Sequence, residues 1–283
     1  MLTPLVSVTR GIMGWPPANH PVINRCHTAE GGQRRTSSVV FITVVLTALF
    51  PGSLWPGDHS TAKVAYVIDG DTVILNSGER VRLLGINTPE IAHKKTWGEP
   101  LGEEARQELI RLVDNKTVSI EPGIESRDRY GRLLAHLTSS DGKSIEATLL
   151  EQGLAAVVVI PPNVDHLPEF TRVEEQARKA KRGLWGLPYF EPRSADALND
   201  SEQGFRRVRG RVVRVASTKK SISLQLSHRF SITIHRQEWE RYWQGHPEQY
   251  LHQWVTVRGW LVSSGRGWRI NIGHPAMLHL NPS

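Results

Sequence analysis

Arg82-Leu83-Leu84-Gly85-Ile86-Asn87-Thr88-Pro89-Glu90 is an apolar, strand-like run that carries a guanidinium inside it and an amide, a hydroxyl and a carboxylate at its far end. Upstream, Val67-Ile68-Asp69-Gly70-Asp71-Thr72-Val73-Ile74-Leu75 reads as two strands joined by an Asp-Gly turn. Downstream, Asp128-Arg129-Tyr130-Gly131-Arg132 stands at the mouth of another strand. Around these segments Val64, Tyr66 and Ile68 alternate, Glu79 to Ile86 continues a meander, and Lys116 to Ile120 and Leu133 to Leu137 add two strands. Glu103 to Leu112 places Ala105, Leu109, Ile110 and Leu112 among charges at helical spacing. Ser144 to Gln152 and Leu167 to Lys181 also read as helices, the latter stopped by Gly183. Five strands with packed helices predict, over residues 61–187, a β-rich α+β domain built on a small Greek-key barrel of the OB type.

If these strands pair as a meander, the oxygens of Asp71, Asn87, Thr88 and Glu90 converge at one edge of the barrel. Hard oxygen donors of this kind suit Ca²⁺ or Mg²⁺. Asp69-Gly70-Asp71 alone reads first as a solvated hairpin turn, and Glu90 after Thr-Pro is equally a helix-start residue. The arginines sharpen the reading. Arg82 lies among Val81, Leu83, Leu84 and Ile86, where a guanidinium needs a carboxylate or phosphate partner. Two arginines flanking a carboxylate and a metal site suit phosphodiester cleavage, with charge clamps for the transition state and a base to position water. Internal salt bridges are the competing explanation for either arginine alone.

In order and spacing the three motifs resemble the staphylococcal-nuclease-like, or thermonuclease, family, from roughly Lys63 to Trp185. The resemblance implies an OB-fold with three helices and metal-dependent hydrolysis of DNA or RNA. It implies Ca²⁺ held by Asp71, Asn87 and the carbonyl of Thr88, with Glu90 as general base or water-orienting group. Arg82 and Arg132 would bind the scissile phosphate, and Tyr130 would line the nucleotide pocket. Two departures stand out. The family usually has an aspartate where this chain has Asn87, which predicts weaker metal affinity. Its best-known member has tyrosines where this chain runs Ala155-Ala156-Val157-Val158-Val159-Ile160-Pro161-Pro162-Asn163, so base stacking from that wall is not expected.

The chain has 283 residues, 39% of them hydrophobic, enough for two packed cores. Its single cysteine, Cys26, rules out an intramolecular disulfide and a thiolate metal cluster. Residues 1–38 show no sustained period and read as disordered or as a misassigned start. After Arg34-Arg35, residues 39–50 run without a charge, short of the roughly 20 needed to span a bilayer. With their flanks, residues 39–60 predict a signal peptide or signal anchor, membrane attachment through 39–55, and a periplasmic, extracellular or outward-facing remainder. A buried strand or helix is the alternative.

The formal charge of +7 suggests a polyanionic partner, and its distribution is uneven. Residues 61–187 carry 17 Lys and Arg against 19 Asp and Glu, whereas residues 204–283 carry 13 against 3. Residues 188–203 read as a polar linker. From Gly204 the strand-like runs Val208–Val215, Ser221–Leu226, Phe230–Ile234, Trp254–Val262 and Trp268–Ile272 predict a second, smaller OB-like barrel. This segment resembles a C-terminal extension of some bacterial thermonuclease-family proteins, through Val257-Arg258-Gly259-Trp260 and Gly273-His274-Pro275. Arg207, Arg209 and Arg211 alternate on one strand face beside several tryptophans, which suits a groove for single-stranded nucleic acid. Core tryptophans beneath a solvated arginine face are the bland alternative.

The leading expectation is a Ca²⁺-dependent nuclease acting on DNA or RNA, with a separable basic domain whose removal spares turnover. The rivals are a catalytically weak nucleic-acid-binding module and a barrel that binds an envelope partner.

Overall fold

The computed structural model describes residues 60–92, 98–114, 116–199, 202–265 and 267–281. The expected disordered start, residues 1–38, lies outside the described residues, as does the expected signal segment, residues 39–60, except for Ser60, which opens the first strand. No helix among the described residues is long and apolar enough to cross a membrane.

The first barrel is built from β1 (Ser60–Asp69), β2 (Thr72–Leu75), β3 (Arg80–Leu83), β4 (Ile86–Asn87), α1 (Gly102–Val113), β5 (Thr117–Arg127), β6 (Leu133–Thr138), α2 (Ile145–Glu151), β7 (Ala156–Val157) and α3 (Leu167–Lys179). Strands β1-β2-β3-β6-β5 close on themselves, with β3 parallel to β6 and the other pairs antiparallel. Their inward residues, among them Val73, Val81, Leu83, Val118, Ala135 and Leu137, are buried as period-two alternation requires. Helix α1 lays Ala105, Leu109 and Val113 against this core at i, i+4 and i+8. Ser144 caps α2, its hydroxyl accepting the Ala147 N–H.

Two glycines let the site-bearing turns pack closely. Gly85 has φ +75°, and any Cβ there would meet the Phe170 ring at 2.7 Å. It breaks the expected continuous strand into β3 and β4, and β4 leaves the barrel to pair with β7. A Cβ on Gly70 would meet Ala105 and Thr88 at 2.7 Å, so the bare backbone lets the Asp69–Asp71 turn lie against α1.

The second unit comprises β8 (Arg193–Ser194), β9 (Phe205–Arg211), β10 (Arg214–Ser217), β11 (Ser221–Ser227), β12 (Phe230–His235), α4 (Arg236–Tyr242), β13 (Trp254–Ser263), β14 (Trp268–Asn271) and β15 (Leu278–Leu280). Its sheet order is β10-β11-β12-β14-β13-β9-β8, with β15 on β13. Only Val212 and Val213 separate β9 from β10. Counted as one bent strand, β9 and β10 pair with β13 at one end and β11 at the other, and β12 runs parallel to β14. The wiring therefore repeats that of the first barrel, as an OB-like unit requires. Trp239 and Trp243 are buried in its core and stack at 5.0 Å.

The expected polar linker is packed instead. Arg193 and Ser194 pair with β9, and Ala195 and Leu198 are buried. The described residues accordingly fall within one compact unit. Alternation among the small apolar residues of that stretch is too short to register as a strand, so its polar residues dominated the sequence reading.

Candidate active site

Asp71 closes the turn between β1 and β2, Arg82 lies in β3, Asn87 ends β4, Glu90 sits in the following loop, and Tyr130 and Arg132 precede β6. All six line one cleft of about 750 Å³. Thr88 is buried just behind that wall and donates its backbone N–H to Asp71 Oδ2 at 3.0 Å. Leu84, Leu134, Val158 and Ile160 add apolar surface to the same cleft.

Arg82 is the hub. Its Nη2 lies 3.0 Å from Asp71 Oδ2 and 3.4 Å from Asn87 Oδ1, and its Nη1 donates to the Leu83 carbonyl at 2.8 Å. The internal salt bridge expected as an alternative is thus present, yet the guanidinium still faces the cleft. Arg132 donates from Nε to Asp128 Oδ2 at 2.7 Å, which leaves its Nη groups as donors for a phosphate. Burial works against ionisation of Asp128, but hydrogen bonds from Arg132 and from the Tyr130 backbone outweigh it and hold this carboxyl below its usual range. Tyr130 is exposed, with the guanidiniums of Arg129 and Arg132 at 4.8 Å and 5.7 Å from its ring centre.

The oxygen donors at this edge are the Asp71 carboxylate, the Asn87 amide oxygen and the Thr88 carbonyl, with Asp69 next to them. Burial, with the charge of Asp71 adding, pushes the Asp69 carboxyl up to about 7. Two crowded, partly desolvated carboxylates beside neutral oxygens are the chemistry that a hard divalent cation relieves, so the donor set fits such an ion. The fit is loose. Asn87 Nδ2 donates to the Thr88 carbonyl at 3.0 Å, and among the described residues no three His, Cys, Asp or Glu group as a metal site.

The sequence-predicted arginines of β9 do not join this cleft. Arg207 is turned into the junction between the barrels, donating to the Phe190 carbonyl at 3.3 Å and lying 5.5 Å over the Trp185 ring. Burial, with Arg178 and Arg258 adding, pulls it down to about 10, still cationic at neutral pH. Arg209 and Arg211 remain exposed, and Trp254, paired in register with Arg211, is exposed beside them. The three arginines share a face of β9, but only Arg209 and Arg211 are open to solvent on it.

Three contributors escaped the sequence reading. Glu99 accepts the Glu90 backbone N–H through Oε2 at 3.1 Å, and its own N–H donates to the Glu90 carbonyl at 2.8 Å. From the second unit, Arg206 reaches Glu99 Oε1 at 2.9 Å and the Tyr189 hydroxyl at 2.6 Å. Trp260, on β13, lines the catalytic-looking cleft itself. The only local signal was a glutamate in a loop and an arginine and a tryptophan within strands, which by itself says nothing about their partners.

Residues 80–186 match the family model described as staphylococcal nuclease homologue. The chain is 33% identical over 132 residues to the thermonuclease of Staphylococcus hyicus, covering 45% of this chain and 77% of that protein. It is 34% identical over 125 residues to the thermonuclease of Staphylococcus intermedius, covering 43% and 74%. Against endonuclease YncB of Bacillus subtilis (strain 168) it is 37% identical over 123 residues, and the match spans 42% of this chain and 58% of the relative.

Proposed function

Since the chain belongs to the staphylococcal nuclease family, we propose that it hydrolyses phosphodiester bonds of DNA or RNA in the cleft between β3, the Glu90 loop and the Asp128–Arg132 turn. One observation carries the reading: Arg82, Glu90 and Arg132, scattered over fifty residues of chain, line a single cleft. Two guanidiniums there can hold the non-bridging oxygens of one phosphate, and both become better partners as charge grows in the transition state. Glu90 takes a proton from water as the water oxygen bonds to phosphorus and the bond to the leaving ester oxygen breaks. Tyr130 lies where it would meet the adjoining nucleotide.

Asp71, the Asn87 amide oxygen and the Thr88 carbonyl would hold Ca²⁺, whose contribution when bound is neutralisation of the phosphate's negative charge. Asn87 in place of a carboxylate supports weak metal affinity. That same residue supports the second reading, a protein that grips nucleic acid and cuts it slowly or not at all. The uncharged run at residues 39–50 after Arg34-Arg35 supports export, or an anchor facing outward.

The test is cleavage of labelled DNA and RNA by the full-length protein, with Ca²⁺ and with chelator. Cleavage that disappears with chelator is expected. Tight binding without cleavage in either condition would leave the binding-module reading.

A further inference from the structure

The cleft has a lining residue from outside the first barrel. Among the described residues of the second unit, Trp260 alone lines it, together with Arg82, Glu90, Tyr130, Arg132 and Ile160 of the first barrel. Its placement follows from β13. Arg258, two residues earlier and so on the same strand face, is buried and paired with Glu174 of α3, Nη1 lying 2.7 Å from each carboxylate oxygen. That pair pins this stretch of β13 to the first barrel, and the next side chain on the same face is delivered into the cleft. Phe205, the cross-strand partner of Trp260, meets the indole edge-on with ring centres 5.2 Å apart, which fixes its orientation.

The indole nevertheless remains 38% exposed. A tryptophan serving only to glue two barrels together would bury that surface, since the gain from apolar burial scales with the area removed from water. Here the open surface faces a cleft whose first-barrel wall, Val158 and Ile160, is aliphatic. An oriented, partly open aromatic beside phosphate-binding arginines is what a nucleobase stacks on.

We propose that Trp260 is a base-stacking platform, so that the second unit supplies part of the substrate site and the protein favours nucleic acid with unpaired bases beside the scissile phosphate. This rests on the nuclease reading for its cleft, but its test is separable. Full-length protein in chelator is titrated, by fluorescence anisotropy, into a short labelled oligothymidylate and into an oligomer of equal length whose residues are abasic. Both carry the same phosphates, so their ratio of affinities reports the bases alone. Stacking on one aromatic predicts that the wild type prefers the base-bearing strand roughly 5- to 150-fold. Trp260→Ala should remove most of that preference, and Trp260→Phe should keep most of it. Trp260→Leu retains apolar packing without an aromatic face, and serves if the alanine variant melts early; it too should lose the ratio. A wild-type ratio near one, or a Trp260→Leu variant that keeps the wild-type ratio, overturns the proposal. Failure of the nuclease reading shows differently, as base preference without cleavage when Ca²⁺ is supplied.

Discussion

Asn87 spends both ends of its amide on neighbours. Its nitrogen engages the Thr88 carbonyl, and its oxygen shares Arg82 with Asp71. Asn87→Asp removes the donor that occupies the Thr88 carbonyl and adds a charged oxygen at the same edge. Ca²⁺ affinity, measured by calorimetry, should rise about tenfold, because ligand charge count is a main determinant of affinity in such sites. An unchanged affinity would put the ion elsewhere. Glu90→Gln tests the chemistry rather than the ion: it should leave folding and strand binding intact while lowering turnover by about 10² to 10⁴, the usual worth of a positioned acid–base group. Wild-type turnover in that variant would remove Glu90 from the mechanism. These residues were legible in the sequence because each sits in a short motif with its own turn chemistry: an Asp-Gly hairpin, a strand stopped by Thr-Pro, a Tyr-Gly turn. Spacing along the chain then carries most of the information about position.

The loop that carries Glu90 shows where such legibility stops. Its backbone is tied to Glu99 by hydrogen bonds in both directions, and Glu99 is held by Arg206, 107 residues further on. Both side chains are about nine-tenths shielded from solvent. No local period encodes a contact between strand β9 and this loop; it exists only where the two barrels pack against each other. Arg206→Ala should therefore loosen the loop and lower kcat by about tenfold with little change in KM, as expected for a group that positions another without touching substrate. Arg206→Lys, which keeps the charge but not the fork that bridges Glu99 and Tyr189, should recover part of the loss. A KM effect alone would show that Arg206 meets substrate instead. The same limit explains β9, where alternation identified the shared face of Arg207, Arg209 and Arg211 but could not show that the first barrel covers one end of it.

At the scale of the whole molecule the two barrels are not the separable pair that the charge distribution and the 188–203 stretch suggested. The Arg258–Glu174 pair is almost fully buried, and Glu174 also accepts the Val157 N–H at 2.6 Å, so the pair supports the strand that holds β4 in place. Arg258→Met leaves a buried carboxylate without its counter-charge and should cost about 3–5 kcal/mol of stability, readable as a lower denaturant midpoint. A loss under about 1 kcal/mol would mean that water reaches the pair. His279 of β15 adds a pH dependence at the same junction. Burial, with Arg258 and Arg178 adding, pulls its imidazole from 6.5 down to about 4, and its Nε2 has no hydrogen-bond partner among the described residues. Folded His279 therefore stays neutral where the unfolded chain takes up a proton. Its contribution to stability is complete above the unfolded value of 6.5 and is lost as pH falls towards 4. His279→Gln should flatten the fall in denaturant midpoint across that interval, and an unaltered acid limb would assign the dependence to other groups.

The direction of the Arg258–Glu174 and Arg206–Glu99 pairs along the chain also sets an order in time. Both carboxylates belong to the first barrel and both arginines to the second, so a ribosome releases the acids first and their partners 84 and 107 residues later. A nascent chain that has emerged only as far as α3 carries Arg82, Glu90 and Arg132 but not the contacts that steady the Glu90 loop and β7. Synthesis must run past Trp260 before the lining of the cleft is complete, and a product that stops at α3 holds Arg82, Glu90 and Arg132 without the pairs that frame them.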